Sequence, residues 1–127
     1  MHKNPVVWFE IYVADMQRAK KFYESVFQLE LKPMGDPNSD PDMEMWAFPS
    51  NYETSGTSGT ICKMKGMSPG NNSVIVYFSC DDCAKEESRA QKFGGKVQTP
   101  KMSIGEFGFI SLVHDSEGNL IGLHSMA

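Results

Sequence analysis

The sequence predicts an α+β fold built from two similar halves, each with the element order β-α-β-β-β. Each half opens with a strand of β-branched and aromatic residues, then an aspartate suited to cap a helix, then an amphipathic helix. The spacing repeats as well, because Asp82 lies 67 residues after Asp15 and Phe93 lies 66 residues after Phe27. A period this long, present only twice, indicates a duplicated half-domain rather than a solenoid.

In the first half, Trp8–Val13 has the composition of a strand, and Asp15 follows as the helix cap. Apolar residues then recur at i, i+3, i+4, i+7 and i+8, which predicts a helix ending near Gln28. These apolar residues are Ala19, Phe22, Tyr23, Val26 and Phe27. The remaining strands of this half are predicted at Leu29–Leu31, Met45–Phe48 and Thr60–Met64.

In the second half, Val74–Phe78 is predicted as a strand, Asp82 as a cap and Cys83–Phe93 as a helix stopped by Gly94. The later strands are predicted at Lys96–Val97, Phe107–Val113 and Leu120–Ser125, with a turn at Asp115–Asn119. We therefore expect one domain over residues 1–127. Its first module spans about 6–65, its linker about 66–72 and its second module about 73–126.

The residue composition, net charge and cysteine count of the chain disfavour several classes of protein. A chain of 127 residues that is 40% hydrophobic suits one soluble domain. A net charge of −4 without a cluster of Lys and Arg argues against a nucleic-acid partner. The absence of about 20 consecutive apolar residues argues against a membrane span, and Glu10 interrupts the apolar run that a signal peptide would need. Three cysteines cannot all pair within the chain, which favours a cytoplasmic location.

Alternation along the strands separates two faces. One face is apolar and is expected under the helices: Phe9, Ile11, Val13, Val74, Val76, Phe78, Ile121 and Leu123. The other mixes rings with polar groups: Trp8, Glu10, Tyr12, Thr60, Cys62, Met64, Ile75, Tyr77, Ser79, Gly122 and His124. Such a mixture is typical of a small-molecule pocket, although a merely amphipathic sheet is the open alternative.

Three motifs occur in the same order along this chain as in a known protein superfamily. The resemblance covers nearly all of Val7–Met126. The motifs are Val13-Ala14-Asp15-Met16 with a helix ending Phe-Tyr-x-x-Val-Phe, then Phe93–Val97, then the Asp-x-x-Gly-Asn-x-Ile segment that begins at Asp115. This arrangement resembles the vicinal oxygen chelate superfamily, which includes glyoxalase I, bleomycin resistance proteins and extradiol dioxygenases. The resemblance implies a glyoxalase-like curved mixed sheet around a pocket, and a homodimer.

The metal enzymes of that superfamily place four ligands on the concave face. Carried over by the resemblance, these positions fall on Trp8, Ile75 and Gly122, with the remaining one at or near Cys62. Side chains of Trp, Ile and Gly cannot bind a divalent metal, and one thiol cannot hold it alone. The chain therefore resembles a member that lacks the usual metal ligands. Neither a metal nor another cofactor is expected, and metal-dependent glyoxalase I or extradiol dioxygenase activity is disfavoured.

Two functional hypotheses remain. In the first, the protein binds a small polar or aromatic molecule without catalysis, and Trp8 and Tyr77 act as stacking surfaces. The open alternative for these two rings is that they only fill the space left by the missing metal. The ligand-binding residues would be Trp8, Tyr12, Cys62, Ile75, Tyr77 and Gly122. In the second, a metal-independent lyase or isomerase uses Glu10 and His124 as acid and base. A structural role for both residues, with Glu10 paired to a lysine and His124 satisfied within the sheet, is the alternative to catalysis.

Two further motifs are interpreted as structural. Cys80-Asp81-Asp82-Cys83 is a C-x-x-C, but the carboxylates between the thiols disfavour thiolates, and no second C-x-x-C completes a zinc site. Buried core cysteines are therefore expected. Asp36–Asp42 resembles the start of a calcium loop, yet Pro41 replaces the required Gly and Ala47 the required Glu. An acidic surface loop is the better interpretation.

Overall fold

The computed structural model describes residues 4–35, 41–51 and 53–127, and within them the order β-α-β-β-β occurs twice. The first half contains β1 (Phe9–Tyr12), α1 (Met16–Phe27), β2 (Lys32–Pro33), β3 (Met43–Ala47) and β4 (Gly59–Met64). The second contains β5 (Val76–Ser79), α2 (Cys83–Lys92), β6 (Lys96–Ser103), β7 (Phe109–His114) and β8 (Leu120–Ser125). A short 3-10 helix at Gly105–Phe107 precedes β7. The predicted α+β class is confirmed.

The two halves form separate four-stranded sheets with the same topology. Their strand orders are β1-β4-β3-β2 and β5-β8-β7-β6. In each sheet the first and last strands of the half are parallel, and the other pairs are antiparallel. The predicted module boundaries near residues 65 and 73 stay a prediction, although β4 ends at Met64 and β5 begins at Val76. No helix in the described part of the chain is long and apolar enough to cross a membrane.

Both predicted helix caps are present. The Asp15 side chain accepts a hydrogen bond from the Arg18 N–H, and the Asp82 side chain accepts one from the Ala84 N–H. Helix α1 ends at Phe27, where the next residue turns into the left-handed region. Helix α2 ends at Lys92, one residue earlier than predicted. The apolar stripe of α1 is buried as expected, because Ala19, Phe22, Tyr23 and Val26 are all inaccessible to solvent.

The aromatic ring of Phe78 joins the two halves. It comes from β5 and lies among four rings of the first half. The distances from its centroid are 4.5 Å to Phe27, 5.5 Å to Phe48, 5.9 Å to Tyr23 and 6.1 Å to Phe9. Aromatic pairs at such separations contribute about 0.5–1.5 kcal/mol beyond the burial of their surface. Phe78 is thus a central contact between the sheets.

The prediction that Val74 lies under the helices is wrong. Strand β5 begins only at Val76, and the side chain of Val74 is 73% exposed. The cause is the Asn72 side chain, whose amide nitrogen donates to the carbonyls of Val74 (2.7 Å) and Leu120 (2.9 Å). These contacts hold the chain in a bend before the strand. Strand β6 is longer than predicted and reaches Ser103. His2 and most of the acidic Asp36–Asp42 segment lie outside the described residues.

A carboxylate from the turn before β8 fastens the second half to the start of α1. Glu117 accepts hydrogen bonds from the N–H groups of Ala14 (2.9 Å) and Asp15 (2.8 Å) and forms an ion pair with Arg18. Its side chain is fully buried by these contacts. Burial alone raises the pKa of Glu117, but Arg18 and the two N–H groups outweigh it and bring that pKa below its ordinary value.

Asp115 and Asn119 of the same turn make two more contacts between the halves. The buried hydroxyl of Tyr23 donates to Asp115 at 2.6 Å. The amide nitrogen of Asn119 donates to the carbonyl of Tyr12 at 2.9 Å. Burial, followed by the nearby Asp115 carboxylate, raises the pKa of Tyr23 well above its ordinary value. The Tyr23 hydroxyl is therefore protonated at neutral pH and donates to Asp115.

We expect Glu117→Gln to lower the free energy of unfolding by about 2 kcal/mol at pH 7, because hydrogen bonds to a buried charge are lost. The pKa of Glu117 is depressed by folding, so its contribution is complete above the unfolded pKa near 4.5. That contribution is lost as the pH falls through the lower folded value. Urea denaturation at pH 7 and pH 3.5 measures the difference between the two proteins.

The matched control is Glu30→Gln, which removes the same charge from an exposed position. It should change the free energy of unfolding by less than about 0.5 kcal/mol. An equal cost for Glu117→Gln at both pH values would contradict the proposed linkage.

Candidate functional site

Trp8 lies directly before β1, and Glu10 and Tyr12 follow at alternate positions within that strand. Their side chains share the sheet face opposite the helices, which is here called the open face. The Tyr12 hydroxyl donates to Glu10 at 2.7 Å, and the Trp8 indole nitrogen donates to the other oxygen of that carboxylate at 3.4 Å. The hydrogen bond to Glu10, with burial second, raises the pKa of Tyr12 to about 12. Tyr12 is therefore a neutral donor at physiological pH, and Glu10 fixes both neighbouring side chains.

Glu10 and Tyr12 line a small cavity of about 210 Å³ beside the segment that connects the two halves. Asn72 and Asn119 also line it, but their side-chain amides are already hydrogen-bonded to the backbone. The Asn119 oxygen accepts from the N–H of Gly70, and the Asn72 oxygen accepts from the N–H of Leu120. Among the described lining residues, Glu10 is the one that carries a formal charge.

A larger groove of about 950 Å³ lies at the other end of the junction between β1 and β5. Trp8 and Tyr77, predicted as stacking residues, both line it, although they belong to different halves of the fold. Their side chains are 41% and 48% exposed. Phe9, Phe48 and Phe78 also line the groove, and residues 49–51 and 54–58 form one wall. The structure thus places the two predicted rings in one site.

The ring of Tyr77 lies directly over Gly122, its partner in the register of β5 and β8. A Cβ atom added at Gly122 would come within 2.3 Å of the Tyr77 ring, and its three nearest atoms would all belong to that ring. Gly122 thus allows the aromatic ring to lie flat on the sheet, which is a known way of covering a glycine in a strand. One ring face contacts the backbone, and the other is left open.

Three predicted ligand-binding residues line neither the groove nor the small cavity: Gly122 itself, Cys62 and Ile75. Cys62 is only 1% exposed, and its sulfur lies 3.0 Å from the hydroxyl of Thr60. Burial raises the pKa of the Cys62 thiol. Ile75 is half-buried and immediately precedes β5. A role for Cys62 or Ile75 in binding stays a prediction without a geometric argument in its favour.

The proposed acid and base belong to different sheets, Glu10 to β1 and His124 to β8. The Nε2 atom of His124 lies 2.6 Å from the carbonyl oxygen of Phe107. A carbonyl can only accept, so Nε2 carries a proton and donates it to that bond. In the described part of the chain, Glu10 and His124 are not hydrogen-bonded to each other. Each instead has partners of its own.

The four positions at which the resemblance implies metal ligands do not fit a metal. Trp8, Ile75 and Gly122 supply no donor atom, and the thiol of Cys62 is covered. A side chain at position 122 would also collide with Tyr77. The described residues contain no group of three or more His, Cys, Asp or Glu side chains arranged to hold a metal ion.

The C-x-x-C segment behaves as structural. Cys62, Cys80 and Cys83 are all free thiols. Cys83 is fully buried, as predicted, and Cys80 is half-buried against the core. Burial, with the Glu86 carboxylate second, raises the pKa of Cys80 to about 12. A thiol with so high a pKa is a poor nucleophile near neutral pH.

The comparison with protein families agrees with the fold and the topology. The model of the Glyoxalase/Bleomycin resistance protein/Dioxygenase superfamily matches residues 6–123. The chain belongs to this superfamily. Among curated proteins, none matches the sequence at a significant level.

Several solved structures share the fold at low sequence identity. Glyoxalase I from Zea mays is 21% identical with a TM-score of 0.71, over 96% of this chain and 46% of that one. The chain therefore spans about half the length of the maize enzyme. TnmS3, an antibiotic binding protein from a Streptomyces species, is 24% identical with a TM-score of 0.68, over 100% and 99% of the two chains. A glyoxalase/bleomycin resistance protein from Albidiferax ferrireducens is 16% identical with a TM-score of 0.68, over 94% and 98%.

Sequence reasoning missed the wall of the groove. The segment Thr54–Gly59 is recognisable as a Gly/Ser/Thr loop, but nothing in its composition assigns it to a binding site. The side chain of Ser58 holds the loop in place by donating to the carbonyls of Phe48 (3.1 Å) and Pro49 (3.2 Å). The available signal was the density of hydroxyl side chains in the segment between β3 and β4.

Because Tyr77 lies over Gly122, we expect Gly122→Ala to have opposite effects on the free energy of unfolding in the wild type and in a Tyr77→Ala variant. In the wild type, Gly122→Ala should lower the free energy of unfolding by about 1 kcal/mol, because the Tyr77 ring must leave its position. In the Tyr77→Ala background the same change should raise it by about 0.5 kcal/mol, since alanine is favoured over glycine within a strand. Urea denaturation of the four proteins measures the coupling. Equal effects in both backgrounds would mean that the two residues do not interact.

Proposed function

We propose that this protein binds a small aromatic molecule in the groove lined by Trp8 and Tyr77, and that binding needs no metal. The observation that carries the proposal is the pair of half-exposed rings, one from each sheet, facing a single groove of about 950 Å³. Ligand pockets in proteins commonly measure about 300–1,000 Å³ and are lined by aromatic side chains with a few polar groups. This groove has that size and that lining.

Two further facts support a binding function over the metal chemistry of the superfamily. Three of the four positions that correspond to metal ligands carry no donor atom, the thiol at the fourth is buried, and Tyr77 lies over one of the three. In addition, a protein of the same fold that aligns over its full length is an antibiotic binding protein. Its 24% identity supports only the shared scaffold, so the ligand of the present protein is inferred from its own groove.

The alternative, a metal-independent lyase or isomerase, depends on Glu10 and His124. Glu10 is exposed, which favours contact with a ligand, but its carboxylate already accepts from Tyr12 and Trp8. His124 uses Nε2 to donate to a backbone carbonyl. We therefore assign Glu10 to the positioning of Trp8 and keep catalysis as the second candidate.

We further propose that the protein is a cytoplasmic homodimer. Three free thiols suit a reducing compartment. Several apolar side chains outside the groove are strongly exposed, including Met34, Met102 and Phe107, and exposed apolar surface of this kind suits contact with a second copy. Light scattering during size-exclusion chromatography should give a mass near twice that of the monomer. A monomeric mass at micromolar concentration would contradict the dimer.

Trp8 offers a direct reporter of binding. The chain contains two tryptophans, so Trp46→Phe leaves Trp8 as the sole source of indole fluorescence. We expect aromatic compounds in a small-molecule screen to quench this fluorescence and to raise the melting temperature. Trp8→Ala and Tyr77→Ala, followed by calorimetry, should each weaken the affinity for such a compound about tenfold or more, because each removes a stacking surface.

Met67→Ala is the matched control, because Met67 is exposed to about the same extent as Tyr77 and does not line the groove. It should leave the affinity for a groove ligand unchanged. The proposal fails if no compound affects Trp8, or if the affinity survives both groove substitutions.

Glu10→Gln separates the two candidate functions. For a binding protein, affinity should fall less than about fivefold, because the glutamine oxygen still accepts from Tyr12. For an enzyme that uses Glu10 as its base, turnover of a bound compound should fall about 100-fold or more. In the same variant the pKa of Tyr12 should fall from about 12, since the acceptor carboxylate that raises it is gone. Absorbance titration of tyrosine, with Tyr12→Phe to identify its signal, measures that change.

A further inference from the structure

The small cavity beside the connecting segment differs from the large groove in size and in charge. Its volume of about 210 Å³ matches a molecule of about seven non-hydrogen atoms, if each takes the volume of about 30 Å³ that one water occupies in the liquid. Both halves of the fold contribute to its lining, through β1, the connecting segment, β5 and β8. Among the described lining residues, Glu10 alone carries a formal charge.

The side-chain N–H donors that line this cavity are already used within the protein. The amide nitrogen of Asn72 donates to two backbone carbonyls, and that of Asn119 donates to a backbone carbonyl and to a carboxylate. An amide nitrogen has two hydrogens, so neither group has one left for a ligand. The Tyr12 hydroxyl donates its hydrogen to Glu10. In the described lining, an anion would therefore find the Ser68 hydroxyl as its one side-chain donor, and would also face a carboxylate.

The Glu10 carboxylate, by contrast, can still accept hydrogen bonds. Its two oxygens offer about four lone-pair positions. Tyr12 takes one of them at 2.7 Å, and Trp8 takes one at 3.4 Å. These two bonds orient the carboxylate and leave its other positions open, and the side chain is exposed to solvent. The cavity therefore suits a ligand group that donates hydrogen bonds and carries a positive charge.

The remaining side chains of the lining are mainly apolar. They are Ile11, Val74, Val76, Leu120 and Ile121. A short hydrocarbon chain in contact with these residues would be removed from water, which favours binding. The net charge of −4 also attracts a cation at long range.

From this lining we propose that the small cavity binds a primary alkylammonium ion with a short hydrocarbon chain. The ammonium group donates to Glu10, and the hydrocarbon chain lies against the apolar part of the lining. The ion is protonated at pH 7, as a lysine side chain is. This site is distinct from the groove proposed for an aromatic ligand, so each of the two proposals can fail without the other.

Three probes of nearly equal shape test the charge of the ligand at pH 7. They are 3-methylbutylammonium, 3-methylbutanol and 3-methylbutanoate, and NMR titration of the backbone amides measures each affinity. We expect a millimolar dissociation constant for the ammonium ion, as is usual for a ligand of about six non-hydrogen atoms. It should bind at least about fivefold more tightly than the alcohol, because a hydrogen bond to a carboxylate is stronger when the donor is charged. Equal binding of the alcohol, or binding of 3-methylbutanoate, would overturn the proposal.

Glu10→Gln tests the group that pairs with the ion. It should lower the affinity for 3-methylbutylammonium about fivefold, to near that for the alcohol, and change the affinity for the alcohol less than about twofold. The matched control is Glu30→Gln, which removes the same charge from an exposed position outside the cavity. It should change the affinity for the ion less than about twofold, because salt screens distant charges. Equal losses in the two variants would mean a general attraction to the protein, and the site would be overturned.

Two valine substitutions test the location of the ion. Val74 lines the cavity and not the groove, Val6 lines the groove and not the cavity, and both side chains are exposed. Val74→Phe should occupy part of the cavity and weaken the binding of 3-methylbutylammonium about fivefold or more, whereas Val6→Phe should leave it unchanged. The reverse pattern, or no binding of the ion to the wild type, would overturn this site. Neither result would affect the proposed function, which is tested by aromatic compounds in Trp8→Ala and Tyr77→Ala.

Discussion

Strand β1 of the first sheet and strand β5 of the second share no backbone hydrogen bond in the described part of the chain. Cohesion between the halves therefore depends on side chains. Phe78 supplies the apolar part by entering a group of four rings from the first half. Asp115, Glu117 and Asn119 supply the polar part from a single turn. Because the strands are not paired directly, space remains at their junction for the groove and the small cavity.

The Asp-x-x-Gly-Asn segment, Asp115–Asn119, is the part of the sequence that makes the polar contacts between the two halves. In a sequence it resembles an ordinary turn before a strand. In the structure three of its polar side chains reach the first half: Asp115 binds Tyr23, Glu117 binds the start of α1, and Asn119 binds the backbone of Tyr12. The same turn therefore positions β1, and with it Trp8 and Glu10.

The sequence predicted the parts of the fold that depend on local chemistry. Helix caps, the apolar stripe of α1 and the strand β8 follow from residue type and spacing within a few positions. Val74 was placed wrongly because a distant contact, from Asn72 to Leu120, decides where β5 begins. Strand parity placed Tyr77 and Gly122 on the open face, but only the register between β5 and β8 reveals that one covers the other. The groove wall was beyond sequence reasoning, since the role of a polar loop is set by the surfaces that it meets.

The absence of ladder bonds at the junction of β1 and β5 also affects how the protein responds to a bound molecule. Because the sheets are joined by side chains rather than by a ladder, the width of the groove depends on Phe78 and on the turn Asp115–Asn119. A molecule bound in the groove would contact residues of both halves. Its binding energy would be added to the contact between the halves, and the folded protein would be stabilised by mass action.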